Sequence, residues 1–143
     1  MDRYEVFADS THKMYEFLSE GPKGTIRKVV QYLPLYDGTY NLGFGDWNEK
    51  GERVEDRVRS NNMDRDKVLV TVAFTVLDFL EHHPGTTVLL KGSSQARTRL
   101  YQMQIKSAWY WISQSLHVEG FIGGRWELFR SDGSYGAFAV KSR

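Results

Sequence analysis

Thr87-Val88-Leu89-Leu90-Lys91-Gly92-Ser93-Ser94-Gln95-Ala96-Arg97-Thr98-Arg99-Leu100-Tyr101 is the stretch whose reading decides the fold of this chain. A short apolar run, three small residues and a helical spacing follow one another. The reading is a strand over residues 86–91, a turn at Gly92, and a helix whose N-cap is Ser93 or Ser94. Ala96, Leu100 and Met103 fall at spacings of four and three and so share one helix face. Ile105, Trp109 and Ile112 continue that spacing with an offset, which places an expected helix break near Gln104. Between Glu81 and Glu119 there is no acidic residue, yet Lys91, Arg97, Arg99 and Lys106 all lie there.

Working outward, the preceding segment is the longest periodic one. Val68, Leu69, Val72, Ala73, Val76, Leu77 and Leu80 repeat at helical spacing, and Val70, Phe74 and Phe79 make the segment apolar nearly all round. About 18 uninterrupted residues are too many for a strand. A helix over residues 65–83 is therefore predicted, begun by Asn62 or Asp64 and stopped by Pro84-Gly85. It is expected to be the central core helix lying on a sheet. Asp78 and His82, four apart, are expected as a helix-end pair.

The N-terminal half reads as strands. A short strand at residues 4–8 is followed by alternation over residues 12–19, the turn Gly21-Pro22-Lys23-Gly24, and a β-rich run over 25–35. Asp37-Gly38 is a hairpin signal, residues 40–47 return, Asn48 to Gly51 turn again, and 53–60 form a charged strand. Together these predict a four-stranded antiparallel meander. At the other end, strands are expected over 116–122, 125–130 and 135–141, with turns at Gly123-Gly124 and Asp132-Gly133. The predicted order is four strands, the long helix, a strand, one or two helices, and three antiparallel strands. With no repeat and no linker, this is a single α+β domain over residues 1–143.

Composition narrows the chemistry. The 143 residues suit one domain with a real core, and a net charge of +1 gives no global attraction to nucleic acid or anionic membrane. The absence of cysteine excludes disulfides, thiol catalysis and thiolate metal sites. No apolar run approaches the roughly 20 residues of a membrane span, and the N-terminus has no signal-like core. His12, His82, His83 and His117 form no His-x3-His or His-Glu-x2-His pattern, so no metal and no cofactor is expected. Asp46, Asn48 and Gly51 match three positions of a calcium loop, but Lys50 and Arg57 stand where oxygens are needed. Glu52, Glu55 and Asp56 are offset by Arg53 and Arg57, the pattern of an exposed charged strand. No catalytic signature emerges, and an enzyme is not the favoured reading.

What remains is the basic turn. Gly92, Ser93 and Ser94 can aim backbone N–H groups at an anion, with the helix dipole in support. Arg97 and Tyr101, four apart, align on the helix, whereas Arg99 points elsewhere. The candidate anion- or nucleic-acid-binding residues are therefore Lys91, Gly92, Ser93, Ser94, Arg97, Arg99, Tyr101 and Lys106. A sheet bearing Tyr32, Tyr40, Phe44 and Trp47 beside them is expected to stack bases. Two alternatives stay open: a small enzyme or nucleotide-binding protein using the turn as a phosphate cradle, and a protein-interaction module. A purely structural reading makes Ser an N-cap, pairs one Arg with a carboxylate, and puts Tyr101 in the core. The expected partners are nucleic acid, an anionic ligand or a protein, and not a membrane.

In combination, Ser19-Glu20-Gly21-Pro22-Lys23-Gly24, Tyr40-Asn41-Leu42-Gly43-Phe44-Gly45-Asp46, Ser60-Asn61-Asn62, Lys67-Val68-Leu69 and Gly92-Ser93-Ser94 through Tyr101 resemble a family of small uncharacterised bacterial proteins common in the Bacteroidetes group. The resemblance runs from about Met14 to Val140 and implies a bacterial, cytoplasmic protein and a domain of unknown function. It implies no activity, cofactor or catalytic residue. Gln104 stands where glycine is usual in that pattern.

Overall fold

A computed structural model describes residues 2–51, 53–55 and 62–143. It divides into two compact units, one formed by the chain up to Leu33 with Gly43–His82, the other by Pro34–Leu42 with His83–Arg143. The chain is mixed α+β, as the sequence pattern implies.

In the first unit, β1 (Phe7–Ala8) pairs antiparallel with β2 (Met14–Gly21), and β2 with β3 (Gly24–Tyr36). The Gly21–Gly24 turn sets the register, which puts Tyr15 opposite Val30 and Phe17 opposite Lys28. A strand's period of two then sends Tyr15, Phe17, Ser19, Lys28 and Val30 to one face. That face meets α1 (Arg65–His82). Tyr32 stacks on Phe79 at 4.2 Å between ring centroids and shares a 2.8 Å hydrogen bond with Thr75 of α1. Phe17 stacks between Tyr4 and Phe44. Val68, Leu69, Val72, Val76 and Leu80 are buried, as their periodicity predicts, while Leu77 of the same series is exposed and Phe79, outside it, is buried. Thr71 and Thr75 are fully buried because each hydroxyl donates to a backbone carbonyl one turn back.

The next neighbour of β3 is β4 (Thr39–Asn48), and β5 (Arg53–Glu55) pairs antiparallel with its end. The buried Lys28 ammonium is paired with the Asp46 carboxylate. Asn48 Oδ1 accepts the N–H groups of Lys50 and Gly51, both at 3.0 Å. These contacts make the Asp46–Gly51 stretch a hairpin turn. The predicted remainder of the charged strand, with Glu52, Asp56 and Arg57, lies outside the described residues.

The second unit holds the opening stretch. The strand there is β6 (Thr87–Leu90), which lies parallel to the start of β4 with Tyr40 opposite Val88. β6 pairs antiparallel with β9 (Ala137–Ser142), β9 with β7 (Leu116–Ile122), and β7 with β8 (Arg125–Leu128). The three C-terminal strands are antiparallel as expected, but the last in sequence, β9, lies between β6 and β7, so that β7 is the middle one of the three. Val88, Leu90, Val118, Phe138 and Val140 are the buried centre. The helical segment is two helices, α2 (Gln95–Ser107) and α3 (Trp109–Ser115). They break at Ala108 (φ −104°, ψ 15°), four residues beyond the expected Gln104. Gln104 is not the discontinuity, because its carbonyl still accepts the Ala108 N–H at 3.1 Å. No helix among the described residues is long and apolar enough to cross a membrane.

Candidate functional site

Ser94 is the N-cap of α2: its extended backbone turns the hydroxyl toward the Arg97 N–H, 3.2 Å away. Gly92 lies against the same turn, and its N–H donates to Thr98 Oγ1 at 3.0 Å. A Cβ at Gly92 would sit 2.5 Å from the Thr98 nitrogen, so only glycine permits this approach. The Gly92 N–H is thus directed into the turn, where an outward aim was expected. Arg97 donates to the Ser93 hydroxyl. Tyr101 is buried with Thr98 and Ile105 on the inner face of α2.

The remaining cations have a different setting. Lys91, Arg99 and Lys106 are exposed, and among the described residues none of them forms an ion pair. Arg99, Met103 and Lys106 follow at spacings of four and three and share the outer face of α2. Past the break at Ala108, Tyr110 and Trp111 are 71% and 65% exposed and meet edge to face at 5.0 Å. The two rings together form a contiguous apolar patch on the surface of this seven-residue helix.

The expected stacking surface on the strands is corrected by burial. Tyr32 and Phe44 are 2% and 3% exposed, inside the core of the first unit. Tyr40 is half-buried near His83, and Trp47 lies under the Arg27 guanidinium. The aromatic pair next to the basic helix is Tyr110 and Trp111. Sequence reasoning passed over it because its neighbours Trp109 and Ile112 carry the apolar spacing. Two consecutive aromatics that break a helical period were the available signal.

A second constellation, in the first unit, joins residues that no spacing connects. Asp78 and His82 lie one turn apart on α1, and His82 Nδ1 is 2.9 Å from the Asp78 carbonyl and 3.6 Å from its carboxylate. The expected pair is present, but His12 completes it. His12 Nδ1 lies 2.8 Å from Asp78 Oδ2, and its ring stacks on His82 at 3.6 Å with planes 9° apart. The Tyr15 hydroxyl donates to the same Asp78 oxygen at 2.7 Å. Burial alone would raise the Asp78 carboxyl, but the Tyr15 and His12 hydrogen bonds and the two imidazoles outweigh it and hold it below its ordinary value. Tyr15 moves the other way: burial first, then the adjacent carboxylate, push its hydroxyl well above the usual range. A carboxylate, two imidazoles and a phenol at this range can pass a proton or hold a cation.

The model of a family of unknown function, DUF6934, matches residues 1–143, and the chain belongs to that family. No curated protein and no solved structure matches it.

Proposed function

We propose that this DUF6934 protein binds nucleic acid, or a comparable anionic partner, through the outer face of α2 and the start of α3. The observation that carries the reading is the exposed Tyr110–Trp111 pair directly after a basic helix, in a stretch without acidic residues from His82 to Val118. Single-stranded nucleic acid is bound by cations that neutralise phosphates and aromatic faces that stack bases. Lys91, Arg99 and Lys106 supply the first and Tyr110 and Trp111 the second. The phosphate-cradle alternative is weakened by the Gly92 and Arg97 N–H groups, which already have acceptors within the turn. The proposal takes the chain as one domain in a bacterial cytoplasm.

The test is titration of a mixed-sequence single-stranded oligonucleotide at several salt concentrations. Replacing Lys91 and Lys106 together by Gln should weaken binding and make the slope of log affinity against log salt shallower by about one unit or more. Trp111→Ala should weaken binding by about 5- to 100-fold through lost stacking. Wild type with no salt-dependent binding at low ionic strength removes the proposal, and leaves a protein partner as the occupant of the same face.

A further inference from the structure

We infer that His12, Asp78 and His82 form a binding site for a divalent first-row transition ion, with zinc as its natural probe. One ligand atom from each residue lies within 4.8 Å of the other two, and a turn of the stacked His12 and His82 rings about their side-chain bonds would bring all three onto one ion at zinc distances of about 2.0–2.2 Å. Two imidazoles and one carboxylate suit zinc-class ions, whereas calcium and magnesium require mostly oxygen. Three protein ligands with open positions describe an exchangeable or catalytic site, not a closed structural one. The side chains are 31%, 21% and 41% exposed, so an ion can reach them from solvent.

The ligands are held by the surrounding chain. Asp78 and His82 are fixed one turn apart by α1. His12 is brought to them by a turn built on Asp9, whose carboxylate accepts the N–H groups of Lys13 and Met14 and the Thr11 hydroxyl. His12 itself adopts φ +53°, a left-handed conformation uncommon for a residue with a side chain. Such conformations persist where the surroundings over-determine them, and they concentrate at ligand sites. Tyr15 supplies the outer support, since its hydroxyl orients Asp78 as conserved partners orient metal-bound carboxylates elsewhere. Ion binding at His12 Nδ1 replaces its hydrogen bond to Asp78 Oδ2: a neutral ring then carries its hydrogen on Nε2, and a protonated ring loses one proton to solvent. The absence of a His-x3-His motif excludes only sites built on one helix; His12 reaches this one from another element.

The experiment is titration of the full chain with zinc chloride, followed by calorimetry and thermal melting, with His12→Gln, His82→Gln and His117→Gln in parallel. His117 bonds Glu119 in the second unit and serves as the control. One saturable zinc per chain is expected, with affinity reduced at least 10-fold in each of the first two variants and unchanged in the third. In the wild type, nitrogen NMR of the imidazoles should show zinc-dependent shifts at His12 and His82 and not at His83 or His117. That measurement decides the matter should a variant fold poorly. No saturable binding, unchanged affinity in either His12→Gln or His82→Gln, or ring shifts confined to other histidines overturns the inference.

Discussion

Helix α1 matches the polar side chains of its inner face with protein partners, and helix α2 turns Arg99 and Lys106 to water. On α1, Thr71 accepts the Tyr4 N–H, Thr75 meets the Tyr32 hydroxyl, and Asp78 receives Tyr15 and His12. On α2, Arg99 and Lys106 share the outer face, where no ion pair among the described residues engages them. Polar groups under cover must be matched, because an unmatched one costs about 1–3 kcal/mol or more. Charges in water carry no such demand and are free to serve a partner. Fold is therefore concentrated in the first arrangement, and recognition is best sought in the second.

Three variants probe that contrast, in descending order of effect. Val72→Asp places a carboxylate on the buried face of α1, where Val72 is 4% exposed. An unpaired buried charge costs several kcal/mol, comparable to the whole stability of a small domain. Loss of the cooperative thermal transition is expected, and a wild-type melt would overturn the core assignment.

Asp78→Asn comes next, with an expected loss of about 1–3 kcal/mol at neutral pH. Its pH dependence has a definite sign. The folded carboxyl is depressed, so as pH falls the unfolded chain takes up the proton first, near pH 4. The stability tied to Asp78 is thus fully present above about pH 4 and disappears as pH drops through the folded value. The gap between wild type and Asp78→Asn should narrow in that acid range. Denaturation curves that stay parallel down to pH 2 would show that the carboxylate is not held by its neighbours.

The smallest effect is expected on α2. The Lys91 and Lys106 pair of Gln substitutions, which should weaken oligonucleotide binding, should change stability by no more than about 0.5 kcal/mol. A substantial drop in melting temperature would mean that those side chains belong to the fold.

The elements were legible from the sequence where one periodicity ran unbroken. Residues 65–83 could only be helix, and the Gly21–Gly24 and Gly123-Gly124 turns fixed two hairpins. The helix break was misplaced because Gln104 is ordinary inside a helix and the discontinuity occurs at Ala108, a residue with no intrinsic reason to stop one. The cap of α2 was legible as Ser93 or Ser94, because a hydroxyl before a helical run has one common use, and the structure places it at Ser94. Tyr32 and Phe44 were misread because alternation gives the two faces of a strand without saying which is covered. The cluster around Asp78 was half legible: helical spacing joins it to His82, but His12 is 66 positions away and arrives only through tertiary folding.

Asn62 or Asp64 was expected to begin α1; the helix starts directly after Asp64, and Asn62 is fully buried with its side chain inserted into the β2–β3 hairpin. Its amide donates to Ser19 Oγ and the Gly24 carbonyl and accepts the Lys23 N–H at 2.8 Å. The approach requires Gly21, since a Cβ there would lie 2.1 Å from the Asn62 carbonyl oxygen. The tip of a solvent-facing turn ordinarily exchanges its amide hydrogens almost as fast as an unfolded peptide. Here the Lys23 amide is closed by a residue that enters the chain some forty positions later, at the threshold of the long helix. Its exchange with deuterium should follow the opening of α1, making one exposed turn a reporter of cooperative unfolding in the core.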